Sequence, residues 1–224
     1  MITVDQKRKI IQVVNVMETG TPEGRYDVIS IFADGKNGSR QITYGRSQAT
    51  EQGNLRNIVE RYVRANGKFS AALEPYLAKI AKQPLVNDAE FKRLLKVSAQ
   101  EDPLMRNAQD VTFEVLYYEP ALHFFQNEGF DLSLSLLVIY DSYIHSGCIP
   151  AFLRSRFPEA TPARGGDEKA WIKAYTTVRQ DWLANHPKKV LRPTVYRTQS
   201  YLTAMKEDNW MLAKPLKAHG VTVS

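Results

Sequence analysis

The stretch ETGTPEGRYDVISIFADGKNGSRQITYG, residues 18–45, decides how the chain is read. Its opening carboxylate, Glu18, closes an amphipathic helix. The TGTPEG that follows breaks the helix through Gly and Pro. Residues 26–33, YDVISIFA, are β-branched and aromatic with an apolar bias on both faces, which predicts a largely buried strand. DGKNGS then carries a D-G and an N-G, both reverse-turn signals, and RQITYG returns as a second strand. A hairpin over residues 26–45 therefore places a second carboxylate, Asp34, at the mouth of a Gly-rich turn. Two carboxyls on separate elements suit glycosidic-bond chemistry, which needs one protonated acid for the leaving oxygen and one ionised base or nucleophile. Asp34 also has a plainer reading, because Asp opens many turns by bonding its own backbone.

Upstream, residues 5–17 (DQKRKIIQVVNVM) put Ile10, Ile11, Val13, Val14 and Met17 on one face, with Asp5 as the expected N-cap. Glu18 then lies at or just past the last turn, facing the negative end of the helix dipole, which favours the neutral acid. Downstream, Leu55, Ile58, Val59, Tyr62 and Val63 form a helical face stopped at Asn66-Gly67. Further helices are expected at 70–81, 88–100, 103–127 with a bend near Pro120, 131–146, 167–185 and 194–207. Loops fall at 84–87, 158–167 and 185–189. The segment from Asp102 to Gly147, apolar on more than one face, is expected to supply a central buried helix pair. The sum is mostly helix with one small hairpin near the start.

A chain of 224 residues with 43% hydrophobic and 24% charged residues is ordinary for a globular protein and needs no covalent staples. Its longest apolar run, LSLSLLVIY at 132–140, is about half the roughly 18 residues of a membrane span. The single cysteine, Cys148, cannot form an internal disulfide. The opening MITVDQKRKI has no apolar core, so no signal peptide is visible in it. A net charge of +6 and a pI near 9.3 favour an anionic partner, yet the basic residues are evenly spread, with no basic-aromatic stripe for nucleic acid.

Other constellations carry little. His123, His145, His186 and His219 are scattered without metal-ligand spacing, so no metal and no cofactor is expected. GKNGS lacks the Lys-Ser/Thr ending of a phosphate-binding loop, and no G-x-S-x-G occurs. Trp171, Tyr175 and Trp182 fall at helical spacing, for which packing is the default and sugar stacking the alternative. Asp141, in VIYDSYIHSG, follows an apolar run, so its charge needs a cationic partner. Arg179 and Arg192 are the downstream candidates, and a purely structural salt bridge is the plain reading.

Taken in order, these segments resemble the chitosanases of glycoside hydrolase family 46, within the lysozyme-like superfamily, over nearly the whole chain. The points of match are a first helix ending in Glu18, a strand leading to Asp34-Gly35, and the segment Thr43-Tyr44-Gly45. GNLRNIVERY follows, then DPLMRNAQDVTFEVLYYEPA (102–121), IYDSYIHSG (139–147) and GGDEKAWIKAYTTVR (165–179). The resemblance implies a mainly α, α+β fold, a single catalytic domain over 1–224. Its two helical lobes and small hairpin would flank a cleft lined by about 18–45 and helices from 102–207. It implies an endo-acting, inverting hydrolase of β-1,4-linked amino-sugar chains, with chitosan the expected polymer. Glu18 would be the acid, Asp34 the base, and Thr43 the hydroxyl that helps hold the water, with Ser39 as competitor. Arg179, Asp141 and Arg192 match a buried Arg-Asp-Arg network reaching the acid. Lys36 stands where the family has an arginine, in a hairpin lengthened by KNGSRQI; Glu23, Asp27 and Tyr44 join it as candidate substrate contacts.

Such an enzyme is expected to be a monomer acting outside the cell or in the envelope, without nucleic acid or membrane insertion. Two rivals stay open. One is a lysozyme-type enzyme on peptidoglycan, such as a phage endolysin or interbacterial effector, which the basic pI suits. The other is a non-catalytic carbohydrate-binding or phage structural module.

Overall fold

The computed structural model describes residues 2–46 and 48–224. In chain order the helices and strands are α1 (Val4–Thr19), β1 (Ile29–Phe32), β2 (Gln41–Tyr44), β3 (Ala49–Thr50), α2 (Leu55–Arg64), α3 (Ser70–Leu73), α4 (Ala89–Glu101) and α5 (Pro103–Phe113). They continue as α6 (Glu119–Asn127), α7 (Ser133–Ser146), α8 (Ala151–Arg154), α9 (Glu168–Ala184), α10 (Tyr196–Lys206), β4 (Leu216–Ala218) and β5 (Val221–Val223). The chain forms two compact units: residues up to Glu23 with Tyr117–Ser224, and Gly24–Leu116. The Asp102–Gly147 segment is thus not one central pair, since α5 belongs to the second unit and α7 to the first.

The first unit is built around α7. From Ser133 to Ser142 every residue of this helix is buried, as expected for a sequence apolar on all sides. Helices α1, α6, α9 and α10 pack against it. Trp171 and Tyr175 of α9 do pack, as their spacing suggests. The Trp171 ring lies 5.1 Å from Phe130 and 5.4 Å from Phe157, and is wholly buried. The N-cap of helix α1 is Thr3, two residues before the expected Asp5. The Thr3 hydroxyl accepts from the Gln6 N–H while the Gln6 side chain accepts from the Thr3 N–H. At the other end Gly20 takes the left-handed conformation and its N–H closes on the Val16 carbonyl. Glu18 therefore sits inside the last turn. A C-terminal hairpin of β4 and β5, unforeseen in the sequence, completes this unit. Lys9 of α1 is buried and donates to the Leu212 and Lys214 carbonyls, 2.8 Å each, ahead of that hairpin.

The second unit sets a small sheet beside α2, α4 and α5. The expected hairpin is present but differs in detail. Strand β1 is shorter and only half-buried, and it pairs antiparallel with β2 from Ile29↔Tyr44 to Phe32↔Gln41. Strand β3 extends the sheet. Residues 33–40 form a long connection rather than a tight turn, with a 3₁₀ turn at Lys36–Gly38 in which Asn37 (φ 56°) and Gly38 (φ 74°) are left-handed. The alternation of the strands divides the hairpin. Ile29, Ile31, Ile42 and Tyr44 share one face; Ser30, Phe32, Gln41 and Thr43 share the other. Tyr44 is fully buried and its hydroxyl donates to the Leu95 carbonyl, 2.7 Å.

The long helical segment 103–127 is interrupted upstream of its proline. Glu114–Tyr118 is π-helical. Pro120 offers no N–H to the Leu116 carbonyl and its ring crowds that oxygen, so the hydrogen-bond ladder slips by one residue.

Candidate active site

Glu18 lies in the first unit and is tied there by a buried chain of charges. Arg197 of α10 donates through Nη2 to Glu18 Oε1 and through Nη1 to Asp141 Oδ1, the latter at 2.5 Å. Arg179 of α9 donates to the other Asp141 oxygen at 2.7 Å. Asp141 and Arg179 side chains are 0% exposed, Arg197 4% and Glu18 8%. The chain thus runs Glu18–Arg197–Asp141–Arg179, two acids and two guanidiniums, so its formal charges cancel with Glu18 ionised. Burial by itself would raise the Asp141 carboxyl, but Arg197 and Arg179 outweigh it and hold the group at about 2. Burial opposes the charge on Arg197 as well; Glu18 and Asp141 overcome that and keep it cationic. The same arginine and its neighbour finish α1, with the Tyr196 hydroxyl donating to the Met17 carbonyl at 2.9 Å and Arg197 donating to it at 3.4 Å.

His145, one turn after Asp141 on α7, completes the network. Its Nδ1 lies 3.3 Å from Arg179 Nη2. A guanidinium can only donate, so Nδ1 accepts and the ring proton is on Nε2. Burial, then the positive charges of Arg197 and Arg179, push this imidazole down to about 3, against the weaker pull of Asp141. It is neutral across the physiological range.

The network corrects the sequence expectation at one position. Arg192 is exposed, and its Nε donates to the His186 carbonyl at 2.8 Å. Arg197 takes the place foreseen for it. The signal was present, because Arg197, Tyr201 and Ala204 follow the i, i+4, i+7 spacing of a buried helix face, and all three are buried. An arginine at a core position of an amphipathic helix must have a buried acid to meet. Arg192, next to Pro193 in a polar connection, has no such claim.

Asp34 lies in the second unit, exposed, just beyond β1. Its Oδ1 accepts from Gln41 Nε2 at 2.9 Å. Thr43, on the same strand and the same face as Gln41, is 4% exposed, and its Oγ1 has no hydrogen-bond partner among the described residues. Ser39, the alternative hydroxyl, is occupied by Gln52 Nε2 at 3.0 Å. Of the substrate-contact candidates, Lys36 and Glu23 are exposed, and Asp27 accepts from Gln100 Nε2 at 2.8 Å. Tyr44 is removed from that set by its burial in the opposite face of the hairpin. Gly45 follows with φ 77°, and a Cβ there would come within 2.1 Å of Gln109 Oε1. That amide accepts from the Arg46 N–H and donates to the Tyr26 carbonyl, so it cannot give way without losing both bonds.

Comparison with known proteins supplies the context. Residues 12–216 match the profile of Glycosyl hydrolase family 46. The chain is 31% identical over 229 aligned residues to a chitosanase of Bacillus subtilis (strain 168), covering 95% of this chain and 81% of that one. Among solved structures it is similar to the native chitosanase of Bacillus subtilis MY002, with a TM-score of 0.83, 28% identity and full coverage of both chains. A mutant of that enzyme complexed with 6 GlcN superposes with a TM-score of 0.82. A family 46 chitosanase of Gynuella sunshinyii in complex with chitotetraose, 23% identical with a TM-score of 0.81, shares the fold. The mainly α, lysozyme-like α+β architecture expected from the sequence is the architecture found.

Proposed function

Because this chain belongs to glycosyl hydrolase family 46, we propose that it is an endo-acting chitosanase that cleaves β-1,4 linkages with inversion, using Glu18 as acid and Asp34 as base. The observation that carries the substrate assignment is the similarity to chitosanases along essentially the whole chain. The residue roles follow from what each side chain is able to do. A guanidinium on Oε1 disfavours a proton there, so the transferable proton of Glu18 is assigned to Oε2. Arg197 thereby fixes which oxygen faces the leaving group, and Asp141 and Arg179 hold Arg197. Asp34, exposed and with one oxygen engaged by Gln41, has Oδ2 to take the proton of the attacking water. Thr43, two residues from Gln41 on the same face of β2, is the hydroxyl assigned to help hold that water.

One observation favours peptidoglycan as a second substrate reading. Chitosan is cationic, yet the loop beside Asp34 exposes Lys36 and Arg40, and the whole chain is basic. Digestion of chitosan and purified peptidoglycan side by side, with product anomers read by NMR, separates the readings. The chitosanase reading expects α-anomers from chitosan and no release from peptidoglycan. Glu18→Gln and Asp34→Asn should each lower the rate on the order of 10²–10⁴-fold with the fold intact. More than about a tenth of the parent rate in either would remove that residue from its role.

A further inference from the structure

The connection 33–40 is too long to hold Asp34 by turn geometry alone, and two glutamines do so instead. Gln41, at the start of β2, is 5% exposed although Phe32, its cross-strand partner on the same face, is 48% exposed. Its amide is fully used. The oxygen accepts from the Gln52 backbone N–H at 3.0 Å, and the nitrogen donates to Asp34 Oδ1 at 2.9 Å. A backbone N–H can only donate, so the Gln52 bond settles which end of the Gln41 amide is oxygen and forces the NH₂ toward Asp34.

Gln52 in turn fastens the loop itself. Its Oε1 accepts from the Lys36 N–H at 2.7 Å and its Nε2 donates to Ser39 Oγ at 3.0 Å. The loop closes on itself where the Gly35 N–H donates to the Ser39 carbonyl at 3.0 Å. A Cβ on Gly35 would lie 2.7–2.8 Å from Ser39 Oγ and Gln52 Nε2, so only glycine fits beside the clamp.

We propose that Gln41 is a positioning residue for the hydrolytic reaction: its amide, oriented by the Gln52 backbone, fixes the Asp34 carboxylate by one oxygen and leaves the other to the water. This rests on the reading of Asp34 as the base. The chemistry is specific to an ionised, acceptor-only carboxylate, which a donor amide orients. A protonated Asp34 would gain less from it. Gln41 and Thr43 stand two residues apart on one strand face, so the same β2 backbone that fixes Asp34 through Gln41 also carries the hydroxyl proposed to hold the water. A general base placed on an otherwise exposed loop would sample many rotamers, and productive proton transfer needs one of them.

The experiment is a double-mutant cycle on soluble chitosan. Gln41→Met keeps length and loses the donor; Gln41→Glu keeps the acceptor for the Gln52 N–H and turns a carboxylate toward Asp34. Gln41→Met should lower kcat roughly 10- to 100-fold with KM changed by less than about 2-fold, the range for a lost hydrogen bond to a charged group. Gln41→Glu should move the acidic limb of the kcat/KM profile to higher pH, because two facing carboxylates resist ionising together. In an Asp34→Asn background, where there is no base to position, Gln41→Met should cost less than about 2-fold more, because positioning acts only through the base. A kcat within about 2-fold of the parent for Gln41→Met, or an equal loss in both backgrounds, overturns the proposal while leaving the Asp34 assignment standing. Full activity in Asp34→Asn alone overturns the premise instead.

Discussion

Replacing His145 with Asn should flatten the acid side of the stability profile. The asparagine oxygen stands in for Nδ1 as acceptor from Arg179, so the neutral hydrogen bond is kept and the titrating group is removed. The native imidazole is held at about 3 by burial and by Arg197 and Arg179, while an unfolded histidine titrates near 6.5. Between those values the unfolded chain carries a proton that the folded one refuses. Stability is therefore complete above about pH 6.5 and lost as pH falls, at up to about 1.4 kcal/mol per unit. From pH 7 to pH 4 the full shift would amount to roughly 3 kcal/mol; partial exposure of the ring reduces this to about 2 kcal/mol. The charged groups that surround the ring are Asp141 on its own helix and Arg179 and Arg197 from α9 and α10, with His186 a lesser influence. Asp141, held at about 2, is ionised in the folded protein throughout that window; the unfolded aspartate begins to take up a proton below about pH 5, a loss common to parent and variant that cancels in their difference. The assay is urea unfolding at pH 7, 6, 5 and 4 for the parent and His145→Asn. The parent should lose about 2 kcal/mol more than the variant over that range. Parallel profiles would refute the claim that a neutral imidazole is locked against Arg179.

Arg197→Met should damage both activity and folding, because it strips Glu18 and Asp141 of their shared cation. A loss of about 3–5 kcal/mol in urea unfolding is expected for breaking one partner out of a buried ion network, and an unchanged thermal melt would contradict it. Asp141→Asn should destabilise by a similar amount, since two buried guanidiniums lose their counter-charge; Arg192→Ala should leave melting and rate unchanged within error. Gly45→Ala should cost several kcal/mol, or prevent folding, because the added methyl meets Gln109 at a left-handed φ. A melting temperature equal to the parent would show that Gln109 yields freely.

How far the sequence could be read depended on whether a residue's role was local. Helix α9 announced itself because Asp167 caps it, accepting from the Ala170 N–H at 2.7 Å, and Gly166 before it tolerates no side chain against the Ala160 carbonyl. The DP pair at 102–103 was equally legible: Asp102 caps α5, and it also accepts from the Tyr62 hydroxyl at 2.7 Å and the Lys68 N–H at 2.8 Å. Several segments behind the family resemblance thus prove to be caps and clamps. A sequence pattern detects such residues well, because their partners lie at fixed offsets or in other motifs.

The residues that escaped are those whose partners are fixed only by tertiary packing. Arg197 and Arg192 are both arginines downstream of Asp141, and nothing in spacing to Asp141 separates them. The helix face on which Arg197 lies does, and that test requires asking which side of α10 is apolar before asking what the charge pairs with. Gln41 escaped for the complementary reason. A polar residue at a strand start reads as a solvent-facing position, and its burial comes from a loop that folds back through Gln52. Both become visible once the apolar faces are placed first and each polar residue stranded on one is treated as a demand for a partner. A buried guanidinium demands an acid, which led from Arg197 to Asp141 and Glu18. A buried amide demands both a donor and an acceptor, which leads from Gln41 to the Gln52 N–H and Asp34. The two demands end on Glu18 and Asp34, the two carboxyls proposed to carry the chemistry.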